Sequence, residues 1–177
     1  MNNEFLNLSV PKGMLPSDGS LTKIRLGKKE NFVKCNGELL SNEWFDKCGA
    51  FTHGFARVET NEKYNFINEN GELLSKQWFD RCWNFKEGFA IVKVNVKYNF
   101  INERGELLSE EWFDCCWDFD GGLAKVRLDG KHNFIDKNCK VLSDQWFDWC
   151  WDFDGGLAKV RLDGKYNFID KNGKLLK

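Results

Sequence analysis

The sequence predicts an all-β protein of tandem repeats, and three observations carry that prediction. Residues recur at a fixed step of 34 positions, apolar and polar side chains alternate within each repeat, and glycine-bearing turns separate the alternating runs. The step is visible in Trp44, Trp78, Trp112 and Trp146, in Gly54, Gly88, Gly122 and Gly156, and in Ala56, Ala90, Ala124 and Ala158. It holds without insertion or deletion. Residues 117–138 match 151–172 at every position except His132 against Tyr166, as expected of an array grown by duplication.

Within a unit, Gly122 to Leu128 places Ala124, Val126 and Leu128 on one face and Lys125 and Arg127 on the other, the period of a half-buried strand. Asp129-Gly130 tolerates the positive φ of a tight hairpin, so a second strand over Lys131 to Asp136 pairs antiparallel with the first. A turn at residues 136–139 follows, with Gly37, Gly71, Gly105 and Gly173 at its fourth position in other copies, and leads to a short third strand over Lys140 to Ser143. Each unit therefore reads as a three-stranded meander. The connector begins at Ser41, Ser75, Ser109 or Ser143 and carries Trp-Phe-Asp; Ser as N-cap predicts one helical turn with Trp146 and Cys150 on one face, the alternative being a fourth strand. Residues 1–17 read as an N-terminal extension and 18–177 as a repeat domain of about five units. An open, curved array leaning on its Trp-Phe-Asp connectors is the expected architecture, with a closed propeller-like ring as the alternative.

Composition narrows the function. Lys+Arg at 26 against Asp+Glu at 27 gives a net charge of -1, so nothing draws the whole chain to nucleic acid or an anionic membrane. No apolar run reaches the roughly 18 residues of a membrane helix, and Met1-Asn2-Asn3-Glu4 lacks a basic, then apolar, leader. A cytoplasmic protein is expected. Of seven cysteines, Cys48, Cys82, Cys116 and Cys150 are copies of one position, which suits reduced, buried apolar groups rather than a disulfide framework. No Cys-x-x-Cys pair exists and His53 and His132 are out of register, so no zinc site is expected; Asp118-Phe119-Asp120-Gly121 lacks the bidentate Glu of a calcium loop. Identical residues repeated at fixed separation do not form the single convergence of unlike groups that catalysis needs, and no cofactor motif is present.

Two rows are candidates for partner binding. Trp83, Trp117 and Trp151, with Gly49 in the first copy, form an aromatic row that either packs between units or faces a protein or sugar ring. Lys63, Lys97, Lys131 and Lys165 continue a row from Lys29 and form either a basic stripe or a solvated face balanced by Asp46, Asp80, Asp114 and Asp148.

The order Gly-[Leu/Phe]-Ala-x-Val, then Lys-aromatic-Asn-Phe-Ile, then a turn glycine, with the aromatic-Asp pairs Phe45-Asp46, Phe79-Asp80, Phe113-Asp114 and Phe147-Asp148, resembles the WG (KWG) repeat, common in bacterial proteins. The departure is in the name-giving pair: where the family has Trp-Gly, this chain has Glu30-Asn31, Tyr64-Asn65, Tyr98-Asn99, His132-Asn133 and Tyr166-Asn167. Asn most readily replaces Gly at a left-handed or bulged position, so these asparagines are expected to sit on such backbone or to satisfy neighbouring backbone groups with their amides. The resemblance implies a non-catalytic binding or scaffold role, with another protein as the expected partner and a glycan or polymer as the alternative.

Overall fold

The computed structural model describes residues 20–176. The expected extension over 1–17 and the start of the pattern at Asp18 lie outside them. Every regular element described is a β-strand, and all strand pairs are antiparallel. Two compact units divide the chain after Trp78.

In the first unit, β1 (Thr22–Leu26) and β2 (Lys29–Val33) form a hairpin, and β3 (Lys47–Thr52), β4 (Phe55–Thr60) and β5 (Lys63–Asn68) form a three-stranded sheet. The second unit holds three sheets: β6 (Arg81–Cys82), β7 (Phe89–Val94) and β8 (Lys97–Asn102); β9 (Cys115–Cys116), β10 (Leu123–Leu128) and β11 (Lys131–Asp136); and β12 (Trp149–Asp154), β13 (Leu157–Leu162), β14 (Lys165–Asp170) and β15 (Leu175–Leu176). The central hairpin of each unit lies where alternation and turn chemistry put it. Asp129 and Gly130 both have positive φ, at 49° and 75°, which is the primed turn whose twist matches the strands it joins.

The expected third strand forms only in the last sheet, where β15 pairs with β14. In the preceding copy Lys140 to Ser143 contributes a single bridge, Ile135 to Val141, and β9, from the connector before it, supplies the third strand. No helical turn forms there. Ser143 Oγ accepts from Gln145 N in a local turn instead of capping a helix, and the connector residue Trp149 runs directly into β12, so the fourth-strand alternative is the correct one.

Asparagine explains the shortened strand. Leu142 N donates to Phe134 O, and Phe147 and His132 exchange both backbone bonds, but the chain between them loops away from β11. Asn133 fills the gap: its Nδ2 donates to Ser143 O at 2.8 Å and Gln145 O at 3.2 Å, while its Oδ1 accepts from Phe134 N at 2.8 Å. Asn31, Asn65 and Asn99 repeat this pattern on Ser41 and Glu43, Ser75 and Gln77, and Ser109 and Glu111. These asparagines lie in strands and none has positive φ, so the amide role holds and the left-handed one does not.

The core lies between successive sheets. In the second unit, Ile91 and Phe100 from one sheet meet Phe113, Cys116, Phe119, Ala124, Val126 and Ile135 of the next, and Phe134 then meets Phe147, Cys150, Ala158, Val160 and Ile169. Strand residues therefore serve both faces: Ile135 packs backwards and Phe134 forwards. Phe168, the counterpart of Phe134, is 46% exposed against 3%, because its sheet is the last one described. The buried aromatic of each connector is the phenylalanine, Phe45, Phe79, Phe113 or Phe147; Trp112, expected to anchor the contact, is only half-buried. Adjacent turns also nest closely. A Cβ on Gly173, with φ of 77°, would stand 1.8 Å from Leu142 O, so residue 173 itself has no room for a side chain, although Cys139 takes the same place one repeat earlier with φ of 63°.

Cys48, Cys82, Cys116 and Cys150 are buried and not in disulfides, as their repetition suggests. Burial pushes the Cys48 and Cys150 thiols up to about 12. Native thiol titration is expected to leave these four unreacted while exposed Cys35 reacts at once; four additional fast thiols would contradict the core assignment. The sign of the pH effect follows: unfolded thiols ionise near pH 8.5 while the folded ones keep their protons, so stability present below that pH is lost as pH rises towards 12.

Among the described residues no helix is long and apolar enough to cross a membrane, and no group of three or more His, Cys, Asp or Glu side chains comes together as a metal site.

Candidate functional site

The row Trp83, Trp117 and Trp151 lies in the second unit, each ring just beyond the buried cysteine of the strand that opens its sheet. Alternation decides the direction: Cys82, Cys116 and Cys150 point inwards, so the next residue points out. Trp83 is 37% exposed, Trp151 39%, and Trp117 is half-buried.

Each ring is met by the aromatic of the same sheet's Lys-aromatic-Asn strand. Trp83 lies 5.9 Å from Tyr98, Trp117 5.9 Å from His132, and Trp151 6.0 Å from Tyr166. His132 also packs against Trp149 at 4.6 Å, and Trp149 against Trp151 at 6.3 Å, so the rings from Trp117 to Tyr166 form one continuous stripe. Cations cover it. Lys93 Nζ stands 5.3 Å over Tyr98, Lys125 Nζ 4.9 Å over Trp117, and Lys159 Nζ 5.4 Å over Trp151 and 4.2 Å over Tyr166. Such contacts are favourable because the ring face carries the negative side of its quadrupole. Lys125 is nearly buried and is held by Asp152 Oδ1 at 2.7 Å. A cavity of about 270 Å³ opens beside this pair, lined by Trp117, Lys125, Asp118, Asp120 and Asp152 among others.

His132 is the odd member of its column. Burial pushes its imidazole below the ordinary value, so it is neutral near pH 7; its Nδ1 meets Asp148 O at 3.2 Å. Its Nε2 and Arg127 Nε, cross-strand neighbours, are buried polar atoms without a hydrogen-bond partner among the described residues. The tyrosines of the other copies carry their polar end on a longer ring, and Tyr166 is 59% exposed.

The row Lys63, Lys97, Lys131 and Lys165 is placed elsewhere. Lys97 and Lys131 bind Asp114 and Asp148, and Lys29 binds Asp46 at 2.9 Å. Those bonds hold the Asp114 and Asp148 carboxyls below their ordinary range. Each carboxylate also accepts a turn N–H, from Gly130 or Gly164. These lysines thus tie strand to connector. The cations that accompany the rings are Lys93, Lys125 and Lys159; Lys93 is two residues out of register with the other two, whose counterpart is Ile91. Trp149, Tyr98, His132 and Tyr166 were not singled out as site residues, since contact between rings on different strands leaves no local signal.

No curated protein matches the chain. Among solved structures it is similar to Kluyveromyces lactis Hsv2, at 11% identity over 90% of this chain and 60% of that one, with a TM-score of 0.44. It is similar also to the computationally designed Ika4 protein, at 12% identity over 68% of this chain and 87% of that one, with a TM-score of 0.39. A Bacteroides caccae protein of unknown function shares 14% identity over 84% and 73% of the two chains, at a TM-score of 0.30. The chain spans about three fifths of the Hsv2 chain it matches. The family description "WG containing repeat" matches residues 45–64, 66–98, 100–131 and 134–166, which is most of the repeat region. With tyrosine-asparagine standing where the family's name has tryptophan-glycine, and with the 34-residue meander intact, the chain belongs to the WG-containing repeat family.

Proposed function

We propose that this protein is a non-catalytic scaffold that binds another protein through the ring pair Trp83 and Tyr98 and the stripe formed by Trp117, His132, Trp149, Trp151 and Tyr166. The observation that supports this reading is the capping of half-exposed rings by Lys93, Lys125 and Lys159. Tryptophan and tyrosine rings are the residue types enriched at protein interfaces, where they supply contact area, and the lysines beside them complement an acidic partner. The same capping weighs against a glycan, since a stacked sugar needs the ring face that Lys125 and Lys159 occupy. One feature favours the glycan reading: Asp118 and Asp152 follow Trp117 and Trp151 and supply acceptors beside the rings. The buried thiols suit a reducing compartment such as the cytoplasm.

The test is affinity capture with the native protein and with a Trp83→Ala, Trp117→Ala, Trp151→Ala variant, beside a glycan array. A protein retained by the native chain and lost from the folded variant is the expected result. Equal capture by both would remove the stripe from the binding surface, and saturable glycan binding lost in the variant would establish the alternative.

A further inference from the structure

The turns that join the first two strands of successive sheets are not independent in the second unit. Glu87, with φ of 50°, reaches from the turn before β7 to the turn before β10. Its Oε1 accepts from Gly121 N at 2.8 Å and its Oε2 from Gly122 N at 3.0 Å, while Lys137 Nζ approaches Oε2 at 3.3 Å. Burial raises this carboxyl's pKa, and the two N–H groups and the lysine outweigh that and hold it below its ordinary range. Two adjacent glycines with positive φ, 59° and 83°, turn both N–H groups outwards as a pair, a known concavity for anions.

One step of 34 along, every receiving part recurs. Gly155 and Gly156 have φ of 55° and 86° and stand in the same two-residue turn, before β13. Neither N–H finds a side-chain acceptor among the described residues. Lys171 is the counterpart of Lys137, and its Nζ lies 3.7 Å from where a Cβ on residue 121 would be. The flanking Asp152 and Asp154 copy Asp118 and Asp120, so the acidic surroundings that accept Glu87 are reproduced. The donor of the carboxylate differs: position 121 is glycine and offers no side chain. Lys86 beside Glu87 becomes Asp120, so attraction here acts at contact and not at long range.

We propose that Gly155 N, Gly156 N and the Lys171 ammonium form a carboxylate site that takes an acidic side chain or a chain-terminal carboxylate of a protein partner, as Gly121, Gly122 and Lys137 take Glu87. The site does not depend on the aromatic stripe.

The experiment follows the amide resonances of Gly155 and Gly156 by NMR at low ionic strength. N-acetyl-glutamate N-methylamide supplies only a side-chain carboxylate, N-acetyl-alanine only a terminal one, and N-acetyl-glutamine N-methylamide is the neutral control. Saturable shifts on the order of millimolar affinity are expected from at least one carboxylate and not from the amide, and the responding compound identifies the source. Gly130, whose N–H already serves Asp114, should stay still. Gly121→Glu should fill the site from within, abolish the shifts and raise the melting temperature. Lys171→Met should weaken binding roughly fivefold through loss of a charge-assisted bond. Equal responses to glutamate and glutamine compounds, no response to either carboxylate, or shifts that survive both substitutions would overturn the assignment.

Discussion

Replacing Asn133 by alanine should destabilise the protein by about 3 kcal/mol or more, with an unchanged denaturant slope. The side chain is fully buried and makes three hydrogen bonds, two donated to Ser143 O and Gln145 O and one accepted from Phe134 N. Alanine leaves all three backbone groups without that partner, at about 1–3 kcal/mol for each that stays dry. Aspartate should be worse than alanine. It keeps the acceptor for Phe134 N but turns both donors into a buried negative charge facing two carbonyls. Glycine, the residue in the family's own name, should not rescue the loss, because the position needs an amide and not backbone freedom. Urea unfolding settles the order, and a cost below about 1 kcal/mol for Asn133→Ala would show that the amide is not what closes the strand.

Phe113→Ala should cost about 3–5 kcal/mol, the usual range for emptying a buried phenylalanine site. Phe113 bridges Tyr98 at the end of the sheet that holds Ile91 and Phe100 and shares a cluster with them and with Phe119 and Val126 of the following repeat, so the cavity opens between two sheets. Trp112→Ala next to it should cost less although more atoms are removed, since that side chain is only partly buried whereas Phe113 is buried. The comparison is made on thermal or urea transitions of the two variants. A larger loss at Trp112 would return the anchoring role to the tryptophan.

Much of the fold is legible in the residues. Alternation in Leu123 to Leu128, the Asp129-Gly130 turn and the run from Lys131 to Asp136 predict the central hairpin, because period-two burial and positive-φ turn chemistry are local properties. The connector is not legible for the complementary reason. Asn133 acts on carbonyls 10 and 12 residues away, and no propensity or period encodes a side chain standing in for a ladder rung. Trp146-Phe147-Asp148 likewise has no period of its own, since Phe147 pairs with one sheet and Asp148 with the next.

At the site, the identities of Trp83, Trp117 and Trp151 stand out in the sequence, and their outward direction follows from the inward cysteine beside each. Their company does not. Trp117 meets His132 through strand pairing and Lys125 through the same sheet, contacts that depend on register and not on neighbours in the chain. The lysines from Lys97 onward show the converse: a row that looks like a stripe on paper is spent on Asp114 and Asp148.

The junction at Phe147-Asp148 separates two kinds of module. His132 and Phe147 close the end of one sheet, while Asp148 N already bonds Arg161 O of the following one, so a single peptide link passes from one ladder to the other. The stretch that a gene duplicates can begin anywhere in the 34-residue period, but the stretch that folds is cut at that link. A copied segment whose ends fall elsewhere still supplies whole sheets in the interior and leaves only its two outermost edges incomplete. Lengthening such an array by recombination is therefore tolerant of where the breakpoints fall.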